Sequence, residues 1–172
     1  SEYTRRSIEL DPLNRVSLRA HAVTFWFAGR FVEAEAALRY ILDLYPEQED
    51  EKAFLAGTLA ILGRPEEALD YLDFTSENFW HRFVSVSILN ALGRQDESDR
   101  LFQSLISDFG VGGAFQIAEQ YASQNKTEEA FHWLDVAYRQ RDGGFTQILV
   151  DPFLVSLHQD PRWERVLDKV GL

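Results

Sequence analysis

Residues 29–38 read Gly-Arg-Phe-Val-Glu-Ala-Glu-Ala-Ala-Leu, and residues 63–72 read Gly-Arg-Pro-Glu-Glu-Ala-Leu-Asp-Tyr-Leu. The two phrases start 34 residues apart, and Pro12 and Pro46 are separated by the same distance. An internal period of this length is typical of proteins built from stacked copies of one supersecondary unit. The chain is therefore predicted to be an array of repeats.

Two weaker copies of the phrase follow, at Gly93 and Asn125, after intervals of 30 and 32 residues. Gly and Asn tolerate the left-handed backbone that often ends a helix, so every copy predicts a helix end and a tight turn. Each turn is followed by a small residue and, four positions on, by a large apolar one. A small residue lets two helices approach closely, and the large residue fills the space beside it. The pairs are Ala34 and Leu38, Ala68 and Leu72, Ser98 and Phe102, and Ala130 and Leu134.

A helix is also predicted before each turn, over 15–28, 50–62, 78–92 and 113–124. In the first of these, Leu18, Ala22, Phe25 and Trp26 have the three- and four-residue spacing of one helix face. Apolar and polar residues do not alternate cleanly anywhere, so no strand is predicted. The expected fold class is all-α.

The best-matched unit, 15–48, resembles a tetratricopeptide repeat. Leu18, Ala22, Phe25, Ala34, Leu38 and Pro46 stand at positions of the family pattern, but the Trp and Gly of its first helix are replaced. The resemblance covers roughly 1–142 and implies a right-handed α-solenoid of antiparallel helical hairpins. The repeats are predicted at about 15–48, 49–76, 78–110 and 112–142. The third repeat departs most, with Ser98 for Ala and Gly110 where Pro is usual.

The ends of the sequence do not follow the period. Residues 2–11 resemble the second helix of a repeat that lacks its first, so we expect the array to continue upstream; a capping helix is the alternative. In the tail, 143–172, Asp151-Pro152 and Asp160-Pro161 each predict a helix start. Phe153 and Trp163 are expected to pack on the last hairpin as a helical cap.

The tail also resembles the ending of bacterial multidomain regulators that carry tetratricopeptide repeats. Asp151, Pro152, Phe153, Asp160, Pro161, Arg162, Trp163, Gly171 and Leu172 are among the residues that carry the likeness. Such proteins have an N-terminal effector domain, often a nucleotide cyclase, a winged-helix DNA-binding domain or a kinase. The resemblance therefore implies a signalling context and a possible intramolecular partner for the repeats.

Charge and composition limit the functions that the chain can have. The net charge is −11, and residues 45–172 carry 22 acids against 11 bases. An acidic surface repels phosphate backbones, so no nucleic-acid binding is expected; the charge either serves solubility or attracts a basic partner peptide. No apolar run has the roughly 18 residues of a membrane span, and no signal peptide is recognisable. The absence of Cys fits a cytoplasmic location, which is the prediction.

No catalytic or metal-binding motif is recognisable. His21, His81, His132 and His158 lack partners at metal-ligand spacing and are predicted to lie on helix surfaces or at the core edge. The glycines of 110–113 are not followed by the Lys-Ser/Thr of a phosphate loop and are read as a connection between hairpins. The prediction is a non-enzymatic protein without cofactor or metal.

The family geometry implies a partner-binding concave face formed by the first helices of the repeats. Trp26, Trp80 and Phe83 would be its aromatic anchors, each worth about 2–4 kcal/mol if central; packing between repeats is the other interpretation, above all for Trp26. A small-ligand pocket walled by these aromatics is the alternative function. Apolar Val23, Phe54 and Val84 replace the polar clamp of chaperone-binding relatives. The predicted face comprises Val16, Arg19, Val23, Trp26, Ala53, Gly57, Ala60, Trp80, Phe83, Ser87, Asn90, Phe115, Glu119 and Ala122.

Overall fold

The computed structural model describes residues 14–172 and shows no strand among them, which confirms the all-α class. The prediction for 2–11 lies outside the described residues. We number the nine α-helices of the described part α1 to α9. They are α1 (Arg15–Phe27), α2 (Phe31–Leu44), α3 (Glu49–Ile61), α4 (Pro65–Ala68), α5 (Phe79–Ala91), α6 (Gln95–Phe109), α7 (Ala114–Ser123), α8 (Thr127–Gln140) and α9 (Arg162–Val170). Three 3₁₀ segments span Leu69–Tyr71, Gly143–Gln147 and Pro152–Leu157.

The four predicted first helices are confirmed as α1, α3, α5 and α7, each within about two residues of its expected ends. Each is followed by a left-handed residue, as the sequence predicts: φ is 70° at Gly29, 76° at Gly63, 70° at Gly93 and 57° at Asn125. In every case the next amide N–H donates to a carbonyl five residues earlier at 2.9 Å. The four turns therefore share the hydrogen bond that closes a Schellman-type helix end.

An ion pair that the sequence analysis does not identify accompanies three of these turns. The Arg after each Gly pairs with the Glu three residues on: Arg30 with Glu33, Arg64 with Glu67, and Arg94 with Glu97. These pairs are largely exposed, so each stabilises its second helix only modestly.

The small residues after the turns are fully buried, which confirms their predicted packing role. Ala34, Ala68, Ser98 and Ala130 are each 0% exposed. The Ser98 hydroxyl donates to the Val86 carbonyl at 2.9 Å, so the one polar member of the set has a partner in the preceding helix.

The second hairpin differs from the prediction, because its second helix is short. Helix α4 ends at Ala68, a 3₁₀ segment follows, and Leu72 is extended at ψ 135° and only half-buried. The Asp73 carboxylate accepts hydrogen bonds from the Thr75 amide at 2.8 Å and hydroxyl at 2.6 Å. Such a side-chain-capped turn competes with helix continuation.

The described residues divide into two compact units, the first ending at Ser98 and the second spanning Asp99–Leu172. In the first unit, Arg39 of α2 binds Glu35 at 2.9 Å, Glu67 at 2.5 Å and the Tyr71 hydroxyl at 2.6 Å. Arg64 also reaches Glu35 at 2.8 Å. This network of partly exposed side chains links α2 to the short α4 and the 3₁₀ segment behind it.

In the second unit, the tail packs on the hairpin of α7 and α8, as expected. Trp163, Leu154 and Leu157 lie in one buried cluster with residues of both helices, whereas Phe153 is half-buried. Asp151 caps its 3₁₀ segment by accepting from the Phe153 amide at 2.9 Å. Asp160 accepts from the Arg162 amide at 2.9 Å, and α9 begins there, one residue after Pro161.

Over residues 14–172, no helix combines the length and apolar character needed to cross a membrane.

Candidate functional site

The first helices of the first unit, α1, α3 and α5, lie side by side. The Trp26 ring of α1 is 5.9 Å from the Phe54 ring of α3. A methyl group at Gly57 of α3 would contact Val84 of α5 at 3.5 Å, an ordinary van der Waals distance. We use the name first-helix face for the predicted positions on these three helices. They are Val16, Arg19, Val23 and Trp26; Ala53, Gly57 and Ala60; and Trp80, Phe83, Ser87 and Asn90.

Two of these positions are open to solvent. Val16 is 71% exposed and Trp80 is 41% exposed. The Trp80 ring lies 5.1 Å from Phe79 and 6.0 Å from Phe83, in edge contacts with both. These neighbours hold the indole on α5 while much of its surface stays accessible, the arrangement of an anchor side chain that loses little entropy on binding. Six further positions are half-buried: Arg19, Val23, Gly57, Ala60, Ser87 and Asn90.

Three positions of the first-helix face are buried instead. Ala53 is 0%, Phe83 5% and Trp26 8% exposed. The Trp26 indole packs against Phe31, at 5.8 Å between ring centroids, as well as against Phe54. Of the two interpretations of Trp26, the structure gives packing between helices. Trp26 and Phe83 therefore support their neighbours and are not open anchors, nor do they wall an open pocket with Trp80.

In the second unit, the structure corrects the prediction of exposed face residues on α7. Phe115 is 0%, Glu119 3% and Ala122 1% exposed, because the tail covers this side of the helix. The Phe145 ring contacts Phe115 at 5.3 Å, and the Ser156 hydroxyl donates to the Ala122 carbonyl at 3.1 Å. These α7 residues are therefore unavailable to a partner while the tail is in place.

Arg19 of the first-helix face and Arg15 beside that face share one carboxylate, which the sequence pattern does not indicate. Arg15 and Arg19 each approach the same Glu51 oxygen at 3.1 Å. Glu51 is 1% exposed, whereas the Arg15 and Arg19 side chains are 41% and 34% exposed. Two cations against one buried anion leave a positive charge at this end of the face. The spacing of Arg15 and Arg19 on α1 could have indicated the pair, but Glu51 is 32 residues or more distant in sequence.

The most unusual electrostatic feature of the second unit is a buried pair of carboxyl groups. Glu119 of α7 is hydrogen-bonded to Asp151, which precedes the last 3₁₀ segment and is 2% exposed. Burial raises the pKa of Glu119 well above its usual range, and the nearby charges of Asp151 and Asp142 raise it further; the Gln147 side chain opposes this by donating a hydrogen bond. Burial also raises the pKa of Asp151. Both shifts favour the protonated form, and the stronger shift at Glu119 favours a hydrogen bond from Glu119 to Asp151.

Asp142 fixes the start of the tail beside this pair. Its two carboxylate oxygens accept from the Gly144 amide at 2.9 Å and the Phe115 amide at 3.2 Å. Phe115 is in the first turn of α7, where the helix dipole favours a negative charge. Glu119 and Asp151 thus join α7 to the tail at a second point, and the arrangement is structural in character.

One histidine differs from its predicted position. His81 is completely buried in the first unit, where Nε2 donates to the Glu49 carbonyl at 2.8 Å and Nδ1 accepts from the Asp73 amide at 3.5 Å. His132 and His158 are exposed and His21 is half-buried, as expected. Within residues 14–172, no group of three or more His, Asp or Glu side chains is placed to hold a metal ion.

Comparison with known proteins places the chain in no family. No protein-family model matches it, and no curated protein sequence matches it either.

Proposed function

We propose that this chain is a protein-interaction scaffold of tetratricopeptide-like hairpins in a right-handed solenoid, which binds a partner segment along the first-helix face. Two features support the repeat. The four left-handed turns each have the same type of closing hydrogen bond, and a fully buried small residue follows each turn. Repeats of this kind expose one row of helices, and such a row forms an extended binding surface.

The observation that carries the binding proposal is the position of Trp80. Its indole is 41% exposed and is held by two aromatic neighbours, so it offers apolar area. Half-buried Ser87 and Asn90 follow two to three turns later on the same helix and offer polar contacts. Trp is among the residues that most often dominate binding energy in protein interfaces. Arg19 adds positive charge to the same face, because Arg15 and Arg19 share the single negative charge of Glu51.

The partner is either a separate protein or an effector domain of the same polypeptide. The second possibility rests on the resemblance of the tail to the ending of bacterial multidomain regulators; both Asp-Pro steps of the tail have the capping geometry that their own sequence predicts. In that arrangement the first-helix face would bind the effector domain, and the binding would depend on the conformation of that domain.

The experiment begins with a library of random peptides displayed on phage, selected against the immobilised chain. We expect Trp80→Ala to weaken the selected peptides by about 2 kcal/mol, or roughly thirtyfold in Kd, in fluorescence-anisotropy titrations. Tyr40→Ala is the matched control, because Tyr40 is 46% exposed on α2, outside the first-helix face. Peptides that bind the Trp80→Ala variant as tightly as the parent, or that lose affinity to Tyr40→Ala, would contradict the proposal.

A further inference from the structure

A groove of about 310 Å³ lies between α8 and α9 in the second unit. Phe131 and Leu134 are buried at its base, at 9% and 1% exposure. Tyr138, one turn further along α8, is 42% exposed, and Val166 of α9 is half-buried. The groove therefore presents aromatic and aliphatic surface to solvent.

The α9 side of the groove is lined by cations. Arg162, Arg165 and Lys169 are three and four residues apart, so they lie along one face of the helix. Among the described residues that line the groove, Asp135 is the single carboxylate. A cationic lining stands out in a chain whose net charge is −11.

The two ends of the groove differ in how these charges are balanced. At one end, Arg162 lies over the Phe131 ring at 4.4 Å and pairs with Asp160 and Glu128, each at 2.8 Å. At the other end, Asp135 alone contacts both Arg139 and Lys169, the latter at 3.0 Å.

Arg165 makes no ion pair within residues 14–172 and lies between the two ends of α9, one turn from both Arg162 and Lys169; its charge also acts on Asp160. The hydrogen bond from Lys169 is the main reason that the pKa of Asp135 is lowered. Positive charge is therefore in surplus beside Tyr138.

We propose that this groove docks an acidic segment of a partner protein. An aromatic or branched aliphatic side chain of the segment would fill the space over Phe131 and Tyr138, and its carboxylates would pair with Arg165 and Lys169. The chain as a whole is acidic, with a net charge of −11, so a groove lined by cations is a favourable place to hold such a segment. A basic segment would instead be repelled by Arg165 and Lys169, which costs binding energy. The inference is independent of the proposed function, since that function concerns the first unit.

The test measures the binding of three fluorescein-labelled peptides to the full chain by anisotropy at low ionic strength. The probe peptide alternates Glu-Asp pairs with Phe and Leu; the second has Lys at every acidic position, and the third has Ser at every apolar position. We expect the probe to bind, and Arg165→Glu to weaken it about tenfold or more. Arg100→Glu is the matched control, because Arg100 is also an exposed helical Arg and the net charge changes equally. It should shift the Kd by less than about twofold.

Four results would overturn the proposal. Equal weakening by Arg165→Glu and Arg100→Glu would show a long-range charge effect and not a docking site. Equal affinity for the Lys peptide would show that the groove does not select acidic segments. Equal affinity for the Ser peptide would show that apolar side chains do not contribute to binding. Displacement of the probe by a duplex oligonucleotide at lower concentration than by unlabelled peptide would identify a general anion site. Retained tryptophan emission and helical circular dichroism establish that each variant is folded.

Discussion

At the residue scale, backbone conformation decides which side chains the turns accept. Gly29, Gly63 and Gly93 have φ between 70° and 76°, and no atom lies within 4 Å of where their Cβ would be. Gly is therefore favoured at these positions by the backbone conformation and not by a lack of space for a side chain. Asn125 fills the equivalent position in the fourth turn at φ 57°, in keeping with the tolerance of Asn for the left-handed region.

Replacing Gly63 therefore tests the turn. We expect Gly63→Ala to destabilise the chain by about 1 kcal/mol, because an L-residue with Cβ is strained at φ 76°. Gly63→Asn should cost less, since Asn adopts the left-handed region more readily. Urea unfolding followed by circular dichroism measures both. A Gly63→Ala variant as stable as the parent, or less costly than Gly63→Asn, would show that the turn does not impose this conformation in solution.

At the scale of elements, a buried pair of carboxyl groups, Glu119 and Asp151, joins the tail to α7. A carboxyl group whose pKa is raised by folding stabilises the folded state fully at pH below its unfolded pKa, and this stabilisation is lost as pH rises through the folded pKa. For Glu119 and Asp151 the loss thus occurs above the ordinary carboxyl range. Within α7, α8 and the tail, the other ionisable group that acts on Glu119 is the acidic Asp142, which opposes ionisation. Ionisation would therefore weaken the contact that covers Phe115.

Glu119→Gln mimics the protonated form and should remove the part of this pH dependence that Glu119 contributes. We expect the variant to have a higher Tm than the parent at pH 8 and a difference that shrinks as pH falls toward 4, because Glu119 is then protonated in both states. Thermal unfolding followed by circular dichroism measures the change. Glu164→Gln, at an exposed carboxylate of α9, is the control and should leave the pH profile as it is. If Glu119→Gln and the parent lost stability in parallel as pH rose, protonation of Glu119 would not be what stabilises the contact.

At the scale of the whole molecule, the sequence was informative where structure is local. Gly, Asn and the small residue after each turn act within a few positions of the chain, so the hairpins and their helix ends could be predicted. Burial of Phe115 and Glu119 depends on a tail some 30 residues later that follows no period, so the α7 part of the face was predicted as exposed. Glu51 was missed for the same reason, because its partners are on another helix. The short second helix of the second hairpin is accompanied by the Asp73–Thr75 turn, a local feature that the repeat period does not indicate.

The central claim, binding along the first-helix face, is tested most directly by mapping a bound peptide onto the chain. The measurement is an NMR titration of isotopically labelled protein with the tightest peptide from the phage selection. The account predicts that the largest chemical-shift changes occur at Val16, Arg19, Trp80, Ser87 and Asn90, with little change at Tyr40 on the second-helix side. Shifts concentrated at Tyr40 and its neighbours on α2, with Trp80 unaffected, would contradict it.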